Sequence, residues 1–372
     1  MRHERVRVGV NGVGTFGWSL AAAVGRQPDM ELVGIRDVSA QGAVGRASRR
    51  GFAIYAAPAA TGYPAAPPVP MYSRFSDLLG RVDVVADCAP PGGAARILKR
   101  CRLAGVRAVV QAGEPHAVAG HSFLAEVNYA SAVGRPATRV VSSDAAAALR
   151  TLTALQRAGL MDRASGTLIG RPGRHRKHEQ HRAATPVARR AQDLASEVRA
   201  VVTDLNVTAV GVETAHARCH LQSWRVELAR GATRDDVMEI LSSTPRVAVV
   251  RMSEGVLAEL MSDLGCAEGQ SGDVAVWEDL LTVESDEAFY TCQVFDEAIV
   301  VCETVDAIRA LAGVVTDARE SIRLTDVSLG ARPPFRLSRA AEREARRRRR
   351  QFRLLNGPPW SDPQPHTRPV IA

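Results

Sequence analysis

The sequence predicts an α/β protein in two parts, a doubly wound parallel sheet followed by an α+β domain, on three observations. A glycine-rich turn, Gly12, Gly14 and Gly17, stands between a strand-like run and a helix-favouring one near the amino terminus. Short apolar runs then alternate with helical stretches up to about residue 143, as strands buried on both faces of a parallel sheet do. Beyond about residue 150 the runs lengthen and alternate, which suits an antiparallel or mixed sheet.

In chain order, Arg5 to Val10 is the first strand, and the Ala-rich stretch through Val24 is its helix. Glu31 to Ile35 is a second strand that ends at Arg36-Asp37, while Ala56 to Pro70, rich in Ala, Pro and Gly, reads as an irregular excursion. Val82 to Ala86 and Val106 to Gln111 are further strands with a helix at Ala94 to Leu103 between them, and Arg139 to Ser143 is the last strand of this unit. In the second part, Val207 to Val212, Trp224 to Leu228, Val247 to Val250 and Phe289 to Val301 are strand-like. Arg234 to Ser243, introduced by Thr233 as N-cap, and Thr304 to Leu311 have the spacing of amphipathic helices. The expected division is therefore 1–145, 146–302, a C-terminal helix within 303–330 and an Arg- and Pro-rich tail, 331–372, outside the fold.

Composition narrows the function. A chain of 372 residues with 46% hydrophobic content can bury two ordinary cores, and its apolar runs fall short of the ~18 residues that span a bilayer. A cytoplasmic protein is expected, and the six cysteines, none in CxxC spacing, are expected to be reduced thiols with no metal site. The net charge of +8 suggests nucleic acid until it is located: eleven arginines and three acids after residue 330 account for all of it. The run Arg346 to Arg350 leaves a phosphate-contacting tail open, but only Phe352 and Trp360 offer rings nearby, so a solvated tail is the expectation.

The glycine turn carries the cofactor prediction. Gly12 permits the tight turn, Gly14 lets backbone approach a pyrophosphate, Gly17 lets helix and strand pack closely, and the helix amino terminus offers N–H groups to the phosphates. Asp37, twenty positions after Gly17, is placed to accept hydrogen bonds from a ribose and to repel a 2′-phosphate, which favours NAD; Arg36 beside it leaves NADP open. Asn11, Thr15 and Phe16 within the turn and Gly113 after a later strand complete the predicted cofactor contacts.

At this point the chain resembles the archaeal-type (type II) glyceraldehyde-3-phosphate dehydrogenases, discontinuously from about residue 6 to 330. The segments that carry the likeness include Val8 to Gly17, Asp29 to Gly34, Asp83 to Asp87, Gln111-Ala112-Gly113-Glu114, Arg139 to Ser142, Arg234-Asp235-Asp236, Val276-Trp277-Glu278 and Asp306 to Arg309. The resemblance implies a Rossmann domain plus a catalytic domain, a C-terminal helix returning to the first, an NAD(P) cofactor and a tetramer. It also implies chemistry in which a cysteine thiolate attacks an aldehyde and a histidine manages the proton. The family's Ser-Cys-Asn-Thr-Thr motif falls here on Ser142-Ser143-Asp144-Ala145-Ala146, so Ser143 stands at the nucleophile's position, and a hydroxyl ionises far less readily than a thiol of pKa ~8.5. The family's His-x-His segment falls on His220-Leu221-Gln222, and its phosphate-binding Ser-His-His-Gly segment falls near Gln192-Asp193-Leu194-Ala195.

The prediction that follows is an NAD(P)-dependent oxidoreductase acting by direct hydride transfer on a small anionic carbonyl or imine substrate. Ser143 and His220 are its catalytic candidates, and Asp144 and Arg171 its substrate contacts. Two alternatives remain: a non-catalytic NAD-binding protein, and a true glyceraldehyde-3-phosphate dehydrogenase with a relocated nucleophile, for which Cys219 beside His220 is the candidate. Strand neighbours point to opposite faces, which weighs against Cys219. Arg171 to Arg190 holds seven cations and one acid, with His175, His178 and His181 three apart; with that single carboxylate, Glu179, outnumbered by cations and no thiol among them, they read as a cationic loop rather than a metal site.

Overall fold

Strand β1 (Val6–Asn11) runs into the glycine turn, and helix α1 (Thr15–Arg26) starts directly after Gly14. The computed structural model describes residues 5–12, 14–37, 52–56, 71–72, 74–170, 185–186, 188–214, 220–251, 272–294 and 296–330. The chain continues through β2 (Met30–Asp37), β3 (Ile54–Ala56), β4 (Met71–Tyr72), α2 (Phe75–Leu79), β5 (Val84–Asp87), α3 (Ala94–Leu103), β6 (Arg107–Val110), α4 (His116–Ala119), β7 (Ser122–Phe123), α5 (Ala125–Ala132) and β8 (Ala137–Val140). These strands form one sheet in the order β4-β3-β2-β1-β5-β6-β8-β7, with every pairing parallel. The order reverses at β1, with β2 on one side and β5 on the other, so a crevice opens where their carboxyl ends diverge. All four residues of β5 are buried, as a strand covered on both faces requires.

Helix α6 (Ser143–Arg157) leads into the second sheet, formed with β9 (Met161–Gly170), β10 (Thr185–Pro186), α7 (Ala188–Val201), β11 (Val207–Glu213), β12 (His220–Leu228), α8 (Arg234–Ser243), β13 (Val247–Val250), β14 (Val274–Trp277), β15 (Thr282–Glu284) and β16 (Glu287–Val294). Its order is β10-β11-β9-β12-β16-β14-β13, with β15 paired to β16 and both parallel and antiparallel neighbours, the mixed sheet expected. Along β12 burial alternates strictly, with His220, Gln222, Trp224, Val226 and Leu228 inward. Those side chains meet α6, whose Ala145 to Leu149 are wholly buried; the small alanines let a helix enclosed on all sides lie close to the sheet. The expected boundary at residue 145 falls inside this helix.

Helices α9 (Asp296–Ala312) and α10 (Ala318–Leu329) return to the first sheet, where Val305, Ile308, Leu311 and Ile322 join the core of Val8, Val10 and Val24. On the opposite face Phe75, Leu78, Ile97 and Leu98 pack against Val85 and Val110. Three sequence expectations are corrected. The run Phe289 to Val301 is one strand only to Val294 and then the start of α9: the polar Asp296-Glu297 mark the helix start, and the apolar Ala298 to Val301 beyond them do not by themselves distinguish a buried strand from a buried helix. The last strand of the first sheet stops at Val140, and Ser143 is helical. The C-terminal segment is two helices parted near Gly313, whose φ of +72° is left-handed. Helix α8 has the predicted limits and a reciprocal capping box between Thr233 and Asp236. No helix among the described residues is long and apolar enough to cross a membrane.

Candidate active site

The first half of the site is the turn after β1. Gly12 adopts a left-handed φ of +89°, and a Cβ there would lie 2.6 Å from the Ala89 nitrogen, so the turn nestles against the loop that follows β5. A Cβ on Gly17 would lie 2.0 Å from the Gly12 carbonyl oxygen, so helix and turn touch backbone to backbone. Gly14 differs from both: a Cβ there would have nothing within 4 Å. It is the N-cap of α1, no side chain caps that helix end, and no acid stands in its first turn. A helix amino terminus left without a capping side chain, fronted by open space that a side chain would fill, fits the phosphates of a dinucleotide.

The carboxyl ends of β1, β2 and β5 are tied by side chains. Asn11 donates to Asp87 Oδ1 at 2.7 Å, and Arg36 Nη1 donates to Asn11 Oδ1 at 2.6 Å. The Arg36 guanidinium also lies 4.9 Å from the centroid of the Phe75 ring. Burial raises the Asp87 carboxyl above its ordinary range, against the lowering effect of the Asn11 bond. Gly113 sits where a Cβ would meet Pro91 Cγ at 2.5 Å, so it brings the loop after β6 against the loop after β5. Beside it, Glu114 Oε1 accepts from the Gly92, Gly93 and Ala94 N–H groups and occupies the amino terminus of α3. That helix end is therefore taken, whereas the end of α1 has no such cap.

The second half of the site is the head of α6. The first sheet is wholly parallel, so the turn after β8 emerges at the same edge as the glycine turn after β1. Ser142 is the N-cap of α6, its hydroxyl accepting from the Ala145 N–H at 3.2 Å. Ser143 is the first helical residue and is 8% exposed, not a solvent-facing turn residue. Asp144, one residue on, lies with Oδ1 3.1 Å from Nδ1 of His220, the first residue of β12. Gln222, two residues along the same face, donates to the Asp144 carbonyl at 2.8 Å and approaches Oδ1 at 3.4 Å. Glu197 of α7 accepts from the Ser142 N–H at 2.7 Å and stands 3.5 Å from Arg139 Nη1; burial raises its carboxyl above the ordinary range.

The structure thus brings together Asp144 and His220, 76 positions apart in the chain, with Ser143 beside Asp144 in the same helical turn. It places Asn11, Gly12, Gly14, Thr15, Phe16 and Gly17 around one turn, and puts Asp37 last in β2, though its side chain lies outside the described residues. Arg171, Cys219, the histidines at 175, 178 and 181, most of the Ala56 to Pro70 excursion and the Arg-rich tail lie outside them as well. Gln192 to Ala195 belongs to α7. Sequence reasoning missed Glu197, whose charge on an amphipathic helix looks like any solvated one, and Gln222, for which spacing two from His220 on a strand was the available signal.

Comparison with known proteins decides the family. The glyceraldehyde-3-phosphate dehydrogenase of Thermococcus kodakarensis is 34% identical over 341 residues, spanning 88% of this chain and 99% of that protein. The chain belongs to the archaeal-type glyceraldehyde-3-phosphate dehydrogenase family. A second family member, from Hyperthermus butylicus, is 32% identical over 334 residues, 88% of this chain and 97% of its own. No protein-family model matches. Among solved structures, aspartate semialdehyde dehydrogenase II from Vibrio cholerae superposes with a TM-score of 0.59 at 12% identity, over 87% of this chain and 98% of its own. At that identity the likeness speaks for the fold: a parallel nucleotide-binding-type sheet joined to a mixed second sheet.

Proposed function

We propose that this member of the glyceraldehyde-3-phosphate dehydrogenase family is an NAD(P)-dependent oxidoreductase that moves hydride directly to or from the carbonyl or imine carbon of a small anionic substrate, without a thioester intermediate. The observation that carries it is the Asp144–His220 pair at 3.1 Å, which stands at the head of a helix whose first residue is Ser143. A nicotinamide, when bound, supplies or accepts the hydride. Gly12, Gly14 and Gly17 with the first turn of α1 would hold its pyrophosphate, and Asp37 its ribose. NAD is favoured over NADP because Arg36 is engaged by Asn11 and lies over Phe75.

The chain's own groups then handle the proton. An ionised Asp144 only accepts, so the proton between it and His220 sits on Nδ1 and the neutral ring presents Nε2 as a base. In the reducing direction the imidazolium, stabilised by the carboxylate, gives its Nε2 proton to the forming alkoxide; in the oxidising direction the neutral ring takes the hydroxyl proton. The Ser143 hydroxyl contacts the substrate oxygen, and a hydroxyl there gives no acyl donor comparable to a thioester. Arg171 is the proposed anion contact.

Difference spectra with NAD and NADP, followed by reduced-cofactor absorbance against a panel of phosphorylated and carboxylated aldehydes, test the reading. Saturable cofactor binding and turnover are expected, and Asp144→Asn should lower kcat by roughly 10²–10⁴-fold with cofactor affinity unchanged. Purified protein that binds neither nicotinamide would sink the proposal. Binding without turnover of any substrate would favour the second reading, a non-catalytic NAD-binding protein, which Ser143 at the expected nucleophile position also supports.

A further inference from the structure

We infer that Gln222 and Trp224 are positioning residues for proton transfer at His220: a one-way chain of hydrogen bonds from the indole through the amide to Asp144 keeps the carboxylate an acceptor and the imidazole proton on Nδ1. The inference rests on the proposed role of His220 and adds what sets its tautomer.

The direction of the chain follows from groups that have no choice. Trp224 Nε1 lies 3.1 Å from Gln222 Oε1, and an indole N–H only donates. At the other end, Gln222 Nε2 lies 2.8 Å from the Asp144 carbonyl oxygen, which only accepts. The two ends therefore agree on one orientation of the amide, the ambiguity that usually attends a glutamine side chain. The Cys292 thiol, 3.9 Å from the same Oε1 and held protonated by burial, is a second group of donor type facing that oxygen.

With the amide so fixed, its second N–H is directed to Asp144 Oδ1 at 3.4 Å, the oxygen that also meets His220 Nδ1 at 3.1 Å. A donor on that oxygen favours the carboxylate over the acid, and a carboxylate can only receive the imidazole proton. The same bond stops the carboxylate from rotating away from the ring. Three inward positions of β12, His220, Gln222 and Trp224, supply the chain because alternate residues of a strand share a face. The indole is seated by a neighbouring glycine: a Cβ on Gly166 of β9 would lie 2.4 Å from Trp224 Cε3, so the ring occupies the space that a side chain there would need. Glu197, buried near Asp144, is held by Ser142 and Arg139 and takes no part in the chain.

The test reads the tautomer itself, without turnover. Full-length protein labelled with ¹⁵N-histidine, with the His220→Asn variant to assign the resonance, is examined by long-range proton–nitrogen correlation at a pH where the ring is neutral. Wild-type His220 should show the proton on Nδ1. Gln222→Met should weaken that preference by roughly tenfold or more, as loss of a hydrogen bond to a charged group implies, so that the Nε2-protonated form appears. Trp224→Phe, which keeps an aromatic ring on the strand and removes the donor together with the pyrrole part of the indole, should move the ratio in the same direction and carries the test if the first variant does not fold. A wild-type ring protonated on Nε2, or folded variants with the wild-type ratio, would overturn the inference. Absence of hydride transfer alongside the expected tautomers would leave it standing while removing the oxidoreductase reading.

Discussion

At position 143 the chain carries a hydroxyl at a helix amino terminus, a place that favours negative charge, yet two carboxylates crowd it. Asp144 follows directly, and Glu197 accepts from the Ser142 N–H. A thiol installed there would feel the helix dipole lowering its pKa and the acids raising it. The sharper prediction is therefore a difference. In Ser143→Cys the new thiol should titrate roughly one pH unit higher than in the double variant Ser143→Cys/Asp144→Asn, because one neighbouring negative charge is gone. The pH dependence of alkylation of the peptide containing residue 143 measures it; equal midpoints would mean that Asp144 does not act on this position. The described native thiols Cys88, Cys101, Cys292 and Cys302 are all pushed up by burial and should react slowly.

At the scale of elements, the glycine turn separates binding from stability. Gly14 faces open space, so Gly14→Val should leave thermal unfolding near that of the wild type and abolish cofactor titration by filling the nest. Gly17→Ala puts a Cβ 2.0 Å from the Gly12 carbonyl oxygen and should lower the melting temperature by several degrees or prevent folding. If Gly14→Val bound NAD as well as the wild type, the pyrophosphate would have to lie elsewhere. Helix α6 makes a related division: its alanine-rich body is core, and only its first turn carries polar groups to the edge where the parallel strands end.

At the scale of the whole molecule, a buried charge cluster joins α5, α6, the residue before β13 and the returning helices α9 and α10. Arg150 lies 2.9 Å from Glu126 and pairs with Glu303, while Arg246 meets Glu303 at 3.0 Å, Asp306 at 2.8 Å and Asp326 at 2.9 Å. Neither carboxylate oxygen of Glu126 has a well-aligned hydrogen bond, and burial pushes its carboxyl up to about 8. The folded protein thus holds a proton there that an unfolded chain releases near ~4.3. The associated stability is fully present below that unfolded value, declines as pH rises and is lost above about 8. Glu126→Gln cannot ionise and should flatten this part of the profile, gaining on the wild type as pH increases; urea midpoints from pH 5 to 9 would show it, and parallel profiles would contradict it. Removing one partner, as in Arg246→Met, should instead cost about 3–5 kcal/mol by leaving buried carboxylates uncompensated.

How far the chain could be read from its residues depended on how local each signal was. The turn at Gly12 to Gly17, helix α8 with its Thr233 cap and the strand at Val247 to Val250 were readable because turn chemistry, capping and side-chain period act within a few residues. The end of β8 and the change from strand to helix after Val294 were not, since apolar residues recur on both sides of each junction. Local order thus specified a dinucleotide-type turn, a change of sheet near residue 150 and His220 as a candidate. Only the packed chain decided which groups meet: Asp144 reaches His220 because α6 lies across the inward face of β12, and Gln222 and Glu197 gained their partners the same way. A contact between residues 76 positions apart leaves no trace in either segment alone, because it is made by the core that holds both in place.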